Sequence, residues 1–227
     1  MLVALRNTES VVAQDVTKED GPFTCPWCEG LAIVKHGLLK VSHFAHKSNQ
    51  GCEYSGNESE LHKRCKLEIY NALKLREVET HLEYKLDGIR PDIYIPSKNV
   101  GVEIQLSNLN LKQMIHRTKI YHQLGIGVLW VTISESSLER SYENWEKPAK
   151  AWENFLHTLY YGRVYYWVGG LNVLPVHFGL KGRKRPFYPA LSPVNLLTDF
   201  KVSHYDGWSK GKVEIPEATI YRDKLRP

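Results

Sequence analysis

Long apolar runs are missing from this 227-residue chain. None approaches the ~18 residues that a membrane-spanning helix needs, so no membrane span is expected. The opening MLVALRNTES has neither the basic start nor the extended apolar stretch of a secretory signal, and the default expectation is a cytoplasmic protein. Cysteine is scarce: four residues in a chain of this length do not make a disulfide framework. A dominant charge of one sign is lacking too. The lysines and arginines number 30 against 25 acids, a net charge of +5, which permits a polyanionic partner without demanding one. No internal repeat is visible, so a repeat architecture is not expected. What is present is ordinary for a soluble globular protein with a sizeable core, at 42% hydrophobic and 24% charged residues.

The chain divides into three parts. Residues 1–56 are irregular, with MLVAL and SVVAQDV as candidate strands, and they hold Cys25, Cys28, His43, His46 and Cys52. Residues 57–134 read as helix, three strands, helix and strand. Residues 135–227 form an aromatic-rich extension, with a helix expected near 149–160 and strands near 163–168 and 172–178. The extension also carries GLKGRKRPFYP, where basic residues adjoin Phe187 and Tyr188, a composition suited to single-stranded nucleic acid or to an ordinary basic surface loop.

The segment GIRPDIYIPSKNVGVEIQLS places acids inside strands. Val100, Val102, Ile104 and Leu106 share one face of the second strand, and Gly101, Glu103, Gln105 and Ser107 share the other. The turn PSKN has hairpin chemistry, so Asp92 is expected beside Glu103. Carboxylates forced together repel, and a divalent cation such as Mg²⁺ or Mn²⁺ relieves the repulsion. A solvated face of an antiparallel hairpin accounts for the same pattern.

Two helices flank this hairpin. NESELHKRCKLEIYNALK is expected to begin at an Asn57 cap, with Leu61, Cys65, Ile69 and Leu73 (or Ala72) facing the core, and Glu58, His62 and Lys66 on the next stripe. LNLKQMIHRTKIYHQ is expected to bury Leu111, Met114, Ile115 and Thr118, with Gln113, Arg117 and Tyr121 on a second stripe. GVLWVTI reads as a buried strand, and a crossover from VGVEIQL suits a parallel βαβ unit.

Cys25-Pro-Trp-Cys28 is followed by His43-Phe-Ala-His46 and then Cys52. Two thiolates at one knuckle plus later ligands suit a structural Zn²⁺, with His43 or His46 and Cys52 competing to complete the tetrahedron. A redox Cys-x-x-Cys is the alternative, although its usual βαβ setting is absent here. Cys65 falls on the apolar helical stripe and reads as a packing residue.

FTCPWC, HFAHK, ESELHKRCK, RPDIYI, VEIQLSN and HRTKIYHQLGIGVLWV, in that order, resemble the PD-(D/E)xK nuclease superfamily and, more closely, the competence protein CoiA-like family. The resemblance covers roughly residues 1–134. It implies an α/β fold: a restriction-endonuclease-like core with a mixed central sheet flanked by helices, behind an N-terminal zinc-binding segment. Residues 135–227 carry no motif that matches the family. By the same resemblance Asp92 and Glu103 are the two strand acids of a Mg²⁺- or Mn²⁺-dependent deoxyribonuclease, and Glu58 joins them, with Glu60 as the fallback. Gln105 stands where the superfamily places lysine. Lys66 is then the candidate source of the missing charge, with His62 positioning it or touching substrate. Arg117 is a candidate phosphate contact, and Tyr121 a base or backbone contact. The implied partners are DNA, single-stranded, branched or recombining, and a recombination protein. An inactive DNA-binding or recombination accessory module is the competing expectation, fed by Gln105.

Overall fold

The structure, a computed structural model, describes residues 1–48, 51–52, 58–106, 110–133, 146–147, 150–160, 162–178, 185–189, 194–195, 207–209 and 212–214. Two apolar clusters organise it, one for each of its larger sheets.

The first sheet is antiparallel. Strands β1 (Val3–Arg6), β2 (Glu9–Val12), β3 (Phe23–Thr24), β4 (Leu31–Lys35) and β5 (His43–His46) lie in the order β2-β1-β3-β4-β5. Its alternation is plain on β4, where Ala32 and Val34 are buried while Leu31, Ile33 and Lys35 are exposed. The smaller cluster contains Met1, Ala4, Phe23, Val34 and Phe44, whereas Leu2 and Val3 belong to the larger one. The first residues of the chain therefore pin the N-terminal sheet to the rest of the molecule.

The second sheet is mixed. It uses β6 (His81–Leu82), β7 (Ile93–Ile95), β8 (Val100–Gln105) and β9 (Gly127–Thr132). Helix α1 (Glu60–Lys74) precedes β6, and α2 (Leu111–Gln123) joins β8 to β9. Strands β7 and β8 are antiparallel, and β8 and β9 parallel, as the expected hairpin and crossover require. The sheet does not stop at residue 134. Beyond β10 (Glu146–Lys147) and α3 (Ala151–Leu159), strand β11 (Val164–Gly169) pairs in parallel with β9, and β12 (Asn172–Phe178) pairs with β11. Strands β13 (Arg185–Pro189) and β14 (Val194–Asn195) extend it, while β15 (Gly207–Ser209) and β16 (Lys212–Glu214) form a separate pair. The basic run at 179–184 lies outside the described residues. Among the described residues no helix is long and apolar enough to cross a membrane.

Two helix boundaries and faces differ from expectation. Helix α1 is capped by Ser59, whose side chain accepts from the His62 N–H at 3.2 Å. Asn57 lies outside the described residues, and Glu58 precedes the helix instead of projecting from it with Lys66. On α2, Tyr121 is buried with Met114 and Thr118, while Leu111 and Ile115 are only half-buried. A helix turning 3.6 residues per turn carries position 121 back to the Met114 and Thr118 face, seven and three residues on.

Every residue of β8 and β9 is buried, so the polar face of the hairpin is not a solvated one. Close approach of α2 is the reason for glycine at 101. A Cβ there would lie 2.5 Å from Tyr121 Cε1. Gly101→Ala is expected to destabilise the protein by about 1–3 kcal/mol through overpacking, read as a lower melting temperature. An unchanged melting temperature would show that Tyr121 can move aside.

Candidate functional site

The acids of the large sheet meet the N-terminal end of α1. Asp92 immediately precedes β7, and the register Ile93↔Val102 places it opposite Glu103. Its Oδ2 accepts from the Ile104 N–H at 2.8 Å and lies 3.1 Å from His62 Nε2. His62 Nδ1 is 3.5 Å from Glu58 Oε1. Ligand atoms of Glu58, His62 and Asp92 all lie within 4.8 Å of one another. Glu60 faces away from this group, accepting from the Val41 N–H at 2.9 Å and from Lys63 at 2.6 Å.

Lys66 is the hub beneath this group. It has no exposed surface, and its Nζ lies 2.5 Å from both Glu58 Oε1 and Glu83 Oε1 and 3.5 Å from Asp92 Oδ1. Burial alone would lower its proton affinity, but Glu83, Asp92 and Glu58 outweigh that and raise it, keeping the ammonium charged. Burial likewise opposes ionisation of Asp92. The charges of His62 and Lys66, with the His62 and Ile104 hydrogen bonds, hold the carboxyl well below the usual range. His62 is pushed up despite its burial, by Asp92 and then Glu58.

Glu83 was not legible as a site residue. In a period-two reading it falls with His81 and Lys85 on a polar face. Its φ of 48° breaks that alternation, and the residue is buried. Its second oxygen accepts from the Leu2 N–H at 3.0 Å and lies 3.7 Å from Arg90 Nη1. Burial opposes its ionisation, but Lys66 and Arg90 hold the carboxyl down at about 2. One carboxylate thus ties the N-terminal sheet to the centre of the large one.

Glu103 takes different partners from Asp92. Arg117 forms an ion pair with it, and the Tyr121 hydroxyl donates to it at 2.5 Å. Burial, with Asp92 adding to it, raises the proton affinity of Glu103, and Arg117 opposes the rise. Tyr121 has no exposed surface, so it supports Glu103 and has no ring face for a base. Arg117 also donates to the Arg90 carbonyl at 3.2 Å. Gln105 is buried two residues along β8, and its neutral amide adds no charge.

A second cluster lies in the N-terminal sheet. Cys25, Cys28, His46 and Cys52 present ligand atoms within 4.8 Å of one another. The Cys25–Gly30 turn is closed by the Cys25 N–H to Gly30 carbonyl bond at 2.8 Å and the Glu29 N–H to Cys25 carbonyl bond at 2.9 Å. Cys28 Sγ is 3.3 Å from His46 Nε2. Burial works against ionisation of the Cys28 thiol, but the Gly30 N–H and the neighbouring Cys52 and Cys25 outweigh it and hold it below the usual range. All four cysteines of the chain are free thiols. His43 is excluded from the group because residues three apart on a strand face opposite sides. Its Nδ1 lies 2.8 Å from the Val41 carbonyl. Three sulfurs and one nitrogen are a donor set that suits a structural Zn²⁺. Cys65 is buried on α1 within the larger apolar cluster, and burial, with the charge of Asp92 adding to it, pushes its thiol up.

The sequence profile described as competence protein CoiA, nuclease-like domain, matches residues 58–168. The profile of the competence protein CoiA N-terminal domain matches residues 6–55. The competence protein CoiA of Bacillus subtilis (strain 168) is 35% identical over 124 residues, 52% of this chain and 33% of that protein. The matched stretch is thus about a third of that relative's length. No solved structure gives a significant match. The thiol cluster falls in the first matched domain and the carboxylate centre in the second, in the family's own order, and the chain belongs to the competence protein CoiA-like family.

Proposed function

We propose that this chain is a divalent-metal-dependent nuclease that hydrolyses phosphodiester bonds in DNA, with single-stranded, branched or recombining DNA as its substrates. The observation that carries this reading is the convergence of Glu58, His62 and Asp92 beside the buried acid Glu103. Two carboxylates and an imidazole would hold the cation. That mixed oxygen and nitrogen set suits Mn²⁺ better than Mg²⁺, which favours oxygen ligands alone. A cation bound there would supply a Lewis acid for a phosphate oxygen and an activated water. The chain's own groups do the rest. The Ile104 N–H fixes the Asp92 carboxylate, and His62 bridges Asp92 and Glu58. Lys66 keeps the acids ionised and in place, and supplies from below the positive charge that Gln105 lacks. Arg117 holds the buried Glu103 and, with its own side chain 30% exposed, can turn a face to phosphate.

A second reading rests on the same ion pairs. Lys66 and Arg117 are already engaged by Glu58, Glu83 and Glu103, which is also how an inactive DNA-binding module would look. One experiment separates the two. Labelled single-stranded, duplex and branched DNA are incubated with the protein in EDTA, Mg²⁺ or Mn²⁺. Cleavage is expected with the metals and not with EDTA. Asp92→Asn is expected to reduce it by about a hundredfold or more, roughly 2.7 kcal/mol of barrier. DNA affinity, set chiefly by phosphate contacts, should stay comparable at fixed salt. Binding without cleavage of any form by the wild type would establish the inactive module instead.

A further inference from the structure

Strand β6 is an outer strand of the large sheet, and a row of rings lines it. His81 lies opposite Tyr94 in the register of β6 and β7. The Tyr84 ring sits 4.8 Å from His81 and 5.5 Å from Tyr94, inclined by 31° and 19°. Tyr84 is stacked on Tyr94 and tilted against His81, yet the row is not core: Tyr84 is 41% exposed, and His81 and Tyr94 are half-buried. Lys85 continues the row, with its Nζ 5.2 Å from the centroid of the Trp27 ring. At the other end Glu79 lies 3.3 Å from His81 Nε2, and the Tyr94 hydroxyl reaches Asn99 Oδ1 at 3.4 Å.

The row adjoins the carboxylate centre. Tyr94 lies in β7 two residues beyond Asp92, which places the two positions roughly 7 Å apart along extended chain. Tyr84 directly follows Glu83, whose N–H donates to the Asp92 carbonyl at 3.0 Å and whose carboxylate holds Lys66. An exposed aromatic stack with a lysine beside it matches the needs of a flexible strand: ring faces for bases and a cation for phosphate. Duplex bases are stacked on one another and offer no such face.

Building on the nuclease reading, we propose that Tyr84, stacked on Tyr94 and tilted against His81, is a platform for unpaired nucleobases that holds single-stranded DNA beside Asp92. The test is fluorescence anisotropy with labelled oligothymidylate and with a duplex of equal length, at one salt concentration, using wild type, Tyr84→Ala and Tyr84→Phe. Tyr84→Ala is expected to weaken single-strand binding about tenfold and leave duplex binding unchanged, and Tyr84→Phe, which keeps the ring, to stay within about twofold of wild type. A 2-aminopurine base in the oligonucleotide should be quenched by wild type and less by Tyr84→Ala. Circular dichroism melts confirm that these variants are folded, as an exposed side chain allows. Unchanged single-strand affinity in folded Tyr84→Ala, or equal loss on both DNA forms, overturns the platform while leaving the nuclease reading intact. Failure of the wild type to bind either DNA overturns both.

Discussion

Purified protein is expected to carry one zinc ion per chain, and Cys25→Ser to release it with collapse of the N-terminal sheet. The cluster of Cys25, Cys28, His46 and Cys52 joins the turn before β4, the end of β5 and the segment that leaves it. The apolar cluster around it is small, and two of its members, Cys25 and Cys52, are themselves candidate ligands. Structural zinc contributes about 10–16 kcal/mol of binding free energy in zinc-finger peptides near pH 7, and an ion bound here would add to folding free energy in the same way. Elemental analysis should fall from one zinc to almost none in Cys25→Ser, and residues 1–48 should become accessible to protease. The histidines give the sharper comparison. His46→Ala should lose metal, whereas His43→Ala should keep it, because His43 faces the Val41 carbonyl. Equal loss in both histidine variants, or no zinc with freely reactive thiols in the wild type, would refute the assignment.

Replacing Lys66 by methionine should have the next largest effect, on stability before chemistry. The ammonium has no exposed surface and neutralises Glu58, Glu83 and Asp92. Removing one partner of a buried ion pair leaves uncompensated charge and costs about 3–5 kcal/mol. For a chain of this size that lowers the melting temperature on the order of 10 °C. Added Mn²⁺ should recover part of the loss, because a cation held by Glu58 and Asp92 replaces some of the missing charge. Cleavage measured well below the new melting temperature should still fall, by about tenfold, as cationic support is withdrawn from the acids. A melting temperature within about two degrees of wild type would mean that the carboxylates simply take up protons when the lysine is gone.

Much of this was legible in the residues. Hydrophobic periodicity marked α1, α2 and β7–β9, because burial on one stripe or one face leaves a pattern of fixed period. Helix α3 and strands β11 and β12 fell where the sequence placed them as well. The six ordered motifs point to the CoiA-like family by their residues alone. The thiol set was legible as chemistry. The choice between His43 and His46 was not, since it depends on whether His-x-x-His lies on a strand or on a helix, where residues three apart share a face.

What the tertiary structure alone decided is which charge meets which. Sequence spacing grouped Glu58, His62 and Lys66 and set Asp92 beside Glu103, because those relations are local to one segment or one hairpin. It could not show that Lys66 also reaches Glu83, that Arg117 and Tyr121 both close on Glu103, or that Glu83 holds the Leu2 N–H. Those partners are separated by 14 to 81 residues. Tyr121 reads as a base or backbone contact on a second helical stripe, and Glu83 carries no site signal in the sequence, yet both are buried. In Tyr121 the hydroxyl finds a buried acceptor, and in Glu83 a left-handed backbone takes the residue out of its strand's alternation. Local periodicity records which side of an element is covered; the partner waiting on that side is set by how distant elements pack, and here it determines the electrostatics of the whole centre.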